Sequence, residues 1–142
     1  MKTYCVPVPP YVLKMLKRDF NYRSHMRVDK MVLCKVYGDH KSRLHFLNTP
    51  PDGYVHIRVI CRYAGEQKLY TISKTLEYTF KSRMLYYVSG AVDNGHDASE
   101  SIRMFLDKYD LSLEELEFET ARKWWNRHLK REKDRELTPL WV

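Results

Sequence analysis

The apolar residues change period at Ser73, and that change constrains the fold more than any other feature of the chain. Before it, "YVHIRVICRY" sets Val55, Ile57, Val59 and Cys61 in alternation with His56, Arg58 and Arg62, and only Ile60 is out of step. Such alternation suits a strand with one buried face. After it, Leu76, Phe80, Met84, Tyr87, Val88 and Ala91 recur on one face of a helix about five turns long. Strands followed by helices predict an α+β protein. The expected architecture is a strand-rich N-terminal half, antiparallel strands plus one helix, and a helical C-terminal lobe with a helix-turn-helix-like pair. The two parts are residues 1–72 and 73–142, expected to form one compact unit at this length.

Local signals fill in the elements. Val6 and Val8 among prolines suit an edge strand, where the missing N–H of proline is tolerated. Pro10 fits the first position of a helix. Val12, Leu13, Leu16 and Phe20 give that helix its apolar face, with Lys14, Lys17 and Arg18 outside. "NYRSHMRVDK" reads as a loop. "KMVLCKVYGDHKSRLHFL" reads as a strand, a Gly-Asp turn and a second strand, and "NTPPDG" as a turn. "KLYTIS" reads as a short returning strand. "DNGHD" ends the long helix, with Gly95 available for a left-handed cap. Asp97 with Glu100, and Ser112 with Glu115, have the spacing of capping boxes. They predict a helix over 99–109 buried through Ile102, Phe105, Leu106 and Tyr109, then a second helix after the three-residue connection "DLS".

Charge narrows the class of partner. The net charge is +7, a balance that favours a polyanion. Residues 1–96 carry sixteen Lys and Arg against seven Asp and Glu, whereas 97–142 carry nine against eleven. Within that second part, Asp110 to Glu119 holds five acids and no base, and Ala121 to Arg135 holds seven bases and two acids. No apolar run is long enough to cross a bilayer, and "MKTYCVPVPP" lacks the apolar core of a signal peptide, so a cytoplasmic protein without a membrane partner is expected. Cys5, Cys34 and Cys61 form no Cys-x-x-Cys pair and read as free thiols packed as small hydrophobes.

Motifs for catalysis are weak. Pro51-Asp52 followed by Glu66-x-Lys68 matches a nuclease spacing in which carboxylates hold Mg²⁺ and lysine polarises a phosphate. A strand over 54–63 would span roughly 30 Å and hold Asp52 and Glu66 apart, so the match reads as chance. The six histidines, His40, His45 and His128 among them, show no metal-ligand spacing on a helix face. There is no Gly-x-Ser-x-Gly, no phosphate-binding glycine loop and no His-Glu-x-x-His. Tyr86-Tyr87 lacks an identifiable set of basic partners for strand transfer, and Tyr87 falls on the apolar stripe. The expectation is a non-enzyme with neither cofactor nor metal.

"ARKWWNRHLKRE" is the sharpest remaining feature. At about 100° per residue, Ala121, Trp124, Trp125, His128 and Leu129 fall within a sector of roughly 140°, and Phe118 joins them if the helix reaches back that far. Arg122, Lys123, Asn126, Arg127, Lys130, Arg131 and Lys133 fill the opposite arc. Trp125 lies near the centre of the apolar sector and Trp124 at its border. Bases suit the last turn of a helix, but this run covers about three turns. Asparagine and arginine also suit hydrogen bonding to base edges in a major groove. A solvated or protein-binding face accounts for the same residues.

The stretch from Phe80 to Glu132 resembles the C-terminal portion of small proteins carried by phages and mobile elements of Bacteroidetes-type bacteria. It is loosely similar to helix-turn-helix domains of the Trp-repressor and DnaA type. The resemblance covers roughly the last 60 residues and implies that Lys123, Asn126, Arg127 and Lys130 face the groove. Asp110 stands where such turns usually carry glycine. The expected function is a DNA-binding regulator or accessory factor of a phage or mobile element, contacting double-stranded DNA through Arg122, Lys123, Asn126, Arg127, Lys130 and Arg131. Lys14, Lys17, Arg18, Arg23 and Arg27 would touch phosphates. Two alternatives stand beside it. One is a protein-interaction or phage structural module whose basic helix meets an acidic protein partner. The other is an RNA-binding protein using Tyr54 or Tyr63 on the sheet.

Overall fold

A computed structural model describes residues 1–36 and 38–137. Strands β1 (Lys2–Val8), β2 (Met26–Arg27) and β3 (Val55–Cys61) form one sheet in the spatial order β1-β3-β2. Helices α1 (Pro10–Asp19), α2 (His40–Asn48), α3 (Glu66–Asp93), α4 (Ala98–Lys108) and α5 (Phe118–Leu137) complete the described chain. The protein is therefore α+β with a helical C-terminal part. It divides into two compact units, 1–80 and 81–142, with the boundary inside α3.

In the first unit β1 and β3 run antiparallel, from Lys2 opposite Cys61 to Val8 opposite Val55. β2 pairs with β3 in parallel, Met26 beside Val59 and Arg27 beside Ile60. One face of the sheet buries Val6, Val8, Ile57, Val59 and Cys61 completely, each aliphatic side chain contributing about 1.5–3 kcal/mol. Pro10 starts α1 with its φ preset, and Lys17 and Arg18 complement the dipole in the last turn. The helix buries Tyr11, Val12, Met15 and Leu16. That face is rotated from the expected one, and Phe20, now the C-cap, is 48% exposed. Tyr22 is buried, and its hydroxyl accepts the Arg58 N–H at 3.0 Å beyond the end of β2.

Four segments of this unit differ from expectation. "KLYTIS" is not a strand, because α3 begins at Glu66, where the Gly65 carbonyl accepts the Leu69 N–H. Leu69, Ile72, Leu76 and Phe80 carry the helical spacing about one turn further back than Ser73. Arg43 to Leu47 is not a strand either. Asp39 caps α2 by accepting the Ser42 N–H at 2.7 Å, so the Gly-Asp pair opens a helix rather than a hairpin. Met31 to Val36 is irregular chain, held where the Cys34 N–H donates to Thr75 Oγ1 at 3.0 Å. Strand pairing falls instead on Met26–Arg27, within the segment read as a loop.

The interior polar groups of α3 are satisfied. Ser73 is fully buried and donates to the Pro7 carbonyl at 2.6 Å. Glu77, 8% exposed, accepts from the Tyr54 hydroxyl at 2.8 Å and pairs with Lys74 at 3.1 Å. Burial and that carboxylate push the Tyr11 and Tyr54 hydroxyls up from their ordinary range.

In the second unit Met84 and Val88 of α3, Ile102 and Phe105 of α4, and Ala121 and Trp125 of α5 are buried. Gly95 closes α3 in the left-handed conformation, φ 87°, with the His96 N–H on the Ala91 carbonyl. Asp97 caps α4 through the Glu100 N–H at 3.0 Å. At the far end of α4, Asp110 takes the left-handed position, φ 52°, and Leu111 N–H reaches the Leu106 carbonyl. The aspartate therefore does the conformational work of the absent glycine.

Candidate nucleic-acid interface

The connection from α4 to α5 decides how the basic helix is presented. Nine residues, Tyr109 to Glu117, separate the helices, not the expected three. Ser112 and Glu115 make the reciprocal capping bonds, Ser112 N–H to Glu115 Oε1 at 3.2 Å and Glu115 N–H to Ser112 Oγ at 3.3 Å. The turn they cap ends at once. Leu116 drops into the core, and α5 starts afresh when the Glu117 carbonyl accepts from Thr120 and Ala121. "SLEEL" is thus a separate turn, and the acidic stretch does not extend the basic helix beyond Glu119.

α5 has the expected phase. Ala121 is 0% and Trp125 5% exposed, while Trp124 and His128 are half-buried. The Trp125 and His128 rings lie 5.5 Å apart. Leu129, at the border of the sector, is 47% exposed. α5 packs against α4, and Arg103 of α4 lays its guanidinium 4.4 Å from the Phe118 ring centroid. Lys81 places its ammonium 4.9 Å from the Trp124 ring. The sequence reading missed both cations, because nothing local in the sequence links them to rings this far away.

On the outer arc Arg122, Lys123, Asn126, Arg127, Lys130 and Arg131 are all exposed. Arg122 faces Glu119 at 3.9 Å and Arg135 faces Glu132 at 3.4 Å. Lys123, Arg127, Lys130 and Arg131 make no ion pair among the described residues. Four cations without an ion-pair partner among the described residues thus share one side of a helix over more than two turns. Of the other predicted contacts, Lys17, Arg18, Arg23 and Arg27 are exposed and Lys14 is half-buried. They belong to the first unit, Lys14, Lys17 and Arg18 on α1.

Of the nuclease-like residues, Glu66 and Lys68 are engaged by other groups. Asp52 sits in the turn before β3 and Glu66 in the first turn after it, at opposite ends of that strand. Both Glu66 oxygens are occupied: Arg43 donates through Nε at 2.6 Å and Nη2 at 3.1 Å, and His40 Nδ1 lies at 2.8 Å. Arg43, then His40, hold the Glu66 carboxyl down at about 2. Lys68 donates to the Tyr63 carbonyl at 3.2 Å. Among the described residues no three His, Cys, Asp or Glu side chains group as metal ligands, and no helix is long and apolar enough to cross a membrane. Tyr54, expected as an exposed sheet aromatic, is half-buried with its hydroxyl on Glu77, while Tyr63 is 71% exposed.

Comparison with known proteins finds no matching family model, no matching curated protein and no matching solved structure.

Proposed function

We propose that the protein is a non-enzymatic DNA-binding protein, a regulator or accessory factor, that contacts duplex DNA through the outer face of α5. One observation carries this reading: Lys123, Arg127, Lys130 and Arg131 are exposed and unpaired among the described residues on one side of a helix anchored by Trp125 on the other. Dipole complementation accounts for bases in a last turn only. A row this long matches the phosphates flanking a groove, and Asn126 within it can bond a base edge. Buried Ala121 and Trp125 hold the row on a rigid element.

A gel-shift measurement with random duplex DNA, at two salt concentrations, tests the reading. Binding that weakens steeply with salt supports it, and absence of binding at low salt refutes it. A second reading, an acidic protein partner, draws on Leu129. This leucine is 47% exposed among the cations, where a protein surface can cover it and a phosphate backbone cannot.

A further inference from the structure

The sheet has a second face, and its chemistry differs from that of α5. Ile60, the one residue out of step in the β3 alternation, points away from the core. Along the strand it is flanked by Arg58 and by Arg62, the residue just past the strand end. Across the sheet it lies beside Arg27 of β2 on one side and Thr3 of β1 on the other. Arg58, Arg62, Arg27 and Thr3 are exposed, and Ile60 is half-buried. None of the three strands contains an aspartate or glutamate. The three arginines make no ion pair among the described residues.

We infer that this face is a binding site for a single-stranded polynucleotide, with Ile60 as the platform for an unstacked base and Arg27, Arg58 and Arg62 as its phosphate and base-plane contacts. The argument is one of complementarity. Alternate residues on a strand stand about 7 Å apart and neighbouring strands about 4.8 Å apart, so the three arginines are rooted on three sides of the isoleucine, within the footprint of a nucleotide or two. Arginine suits both partners, since its plane stacks on a base and its fork holds a phosphate. A duplex turns its bases inward and would leave Ile60 in water. An unpaired base lying on it removes apolar surface from solvent. This site does not depend on the α5 reading.

Fluorescence anisotropy of the full chain tests it, with labelled oligothymidylate and oligouridylate of about twenty nucleotides and a duplex of about the same length. The two single strands separate DNA from RNA as the source of the ligand, and binding of either supports the site. The double variant Arg58→Gln/Arg62→Gln should weaken single-strand binding by about ten-fold or more. Its slope of log affinity against log salt should fall by about 1.4, at about 0.7 per phosphate. Duplex binding should be unaffected. Arg58→Gln alone should lower the slope by about 0.7, and Ile60→Ser should weaken binding with the slope unchanged. Lys130→Gln should alter duplex binding only. The proposal is overturned if the intact protein binds neither single strand at low salt, if the double variant binds them as tightly as the parent, or if its single-strand and duplex binding fall together. Binding of single strands but not of duplex by the intact protein would sustain this site and remove the α5 reading.

Discussion

Trp124 and Trp125 are consecutive residues with opposite surroundings. The Lys81 ammonium lies 4.9 Å from the Trp124 ring centroid, whereas Trp125 is 5% exposed beside His128. Truncating Trp125 to alanine should cost about 3–5 kcal/mol, as a large ring removed from a core leaves a cavity. Trp124→Ala should cost clearly less, since its ring is half in water and its cation contact is worth about 0.5–1 kcal/mol. Urea denaturation of both variants checks this, and equal losses would contradict the observed helical phase.

Ser73 ties α3 to β1 through one buried hydrogen bond, Oγ to the Pro7 carbonyl at 2.6 Å. Ser73→Ala removes the donor without changing the shape much. Stability should fall by about 1–3 kcal/mol, the cost of a buried acceptor left without its partner. Thermal unfolding followed by circular dichroism gives the value, and a change near zero would mean that water replaces the hydroxyl.

Glu66 predicts a pH effect with a definite sign. Its carboxyl is held at about 2 in the fold, against 4.5 unperturbed, first by Arg43 and then by His40. The unfolded chain therefore binds the proton more readily. The stabilisation is present above 4.5 and is lost as pH falls from there towards about 2. In Arg43→Gln the Glu66 midpoint should move back up, as followed by carboxyl-carbon NMR. A midpoint that stays at the parental value would show that Arg43 is not its main partner.

On α5, exposure separates effects on binding from effects on folding. Lys130→Gln should weaken binding to every duplex alike and lower the salt slope by about one. Asn126→Ala should cost about 1–3 kcal/mol on a preferred site only. Neither exposed change should move stability by more than about 0.5 kcal/mol. Competition binding with specific and random duplexes distinguishes the two patterns.

The legible parts of this fold are those whose signals are local. Alternation in β3, the Pro10 start of α1, the Gly95 and Asp97 caps and the phase of Ala121 and Trp125 all follow from residues a few positions apart. The misread parts depend on partners far along the chain. Met26 and Arg27 become a strand only because Val59 and Ile60 are there to pair with them. Met31 to Val36 has a strand-like composition but lies beside Thr75, whose hydroxyl receives the Cys34 N–H. Two errors had a usable signal. Asp39 three residues before Ser42 is an N-cap spacing, and Leu69 and Ile72 already keep the period of Leu76 and Phe80. The basic arc of α5 was legible as a wheel, but the nine-residue approach to it was not, because Ser112 and Glu115 cap a turn that Leu116 then ends.

The order β1-β3-β2 also bears on how this sheet resists edge-to-edge pairing. β3, "VHIRVIC", is β-branched, free of carboxylates and long enough to enter a cross-β stack. β1 covers it along its whole length and β2 covers it at Val59 and Ile60, and both are poor templates for another strand. β1 contains Pro7, which has no N–H to offer and whose carbonyl is taken by Ser73. β2 offers two residues only. Peeling β1 away would uncover the backbone edge of this β-branched segment, so the proline-bearing strand acts as its gatekeeper.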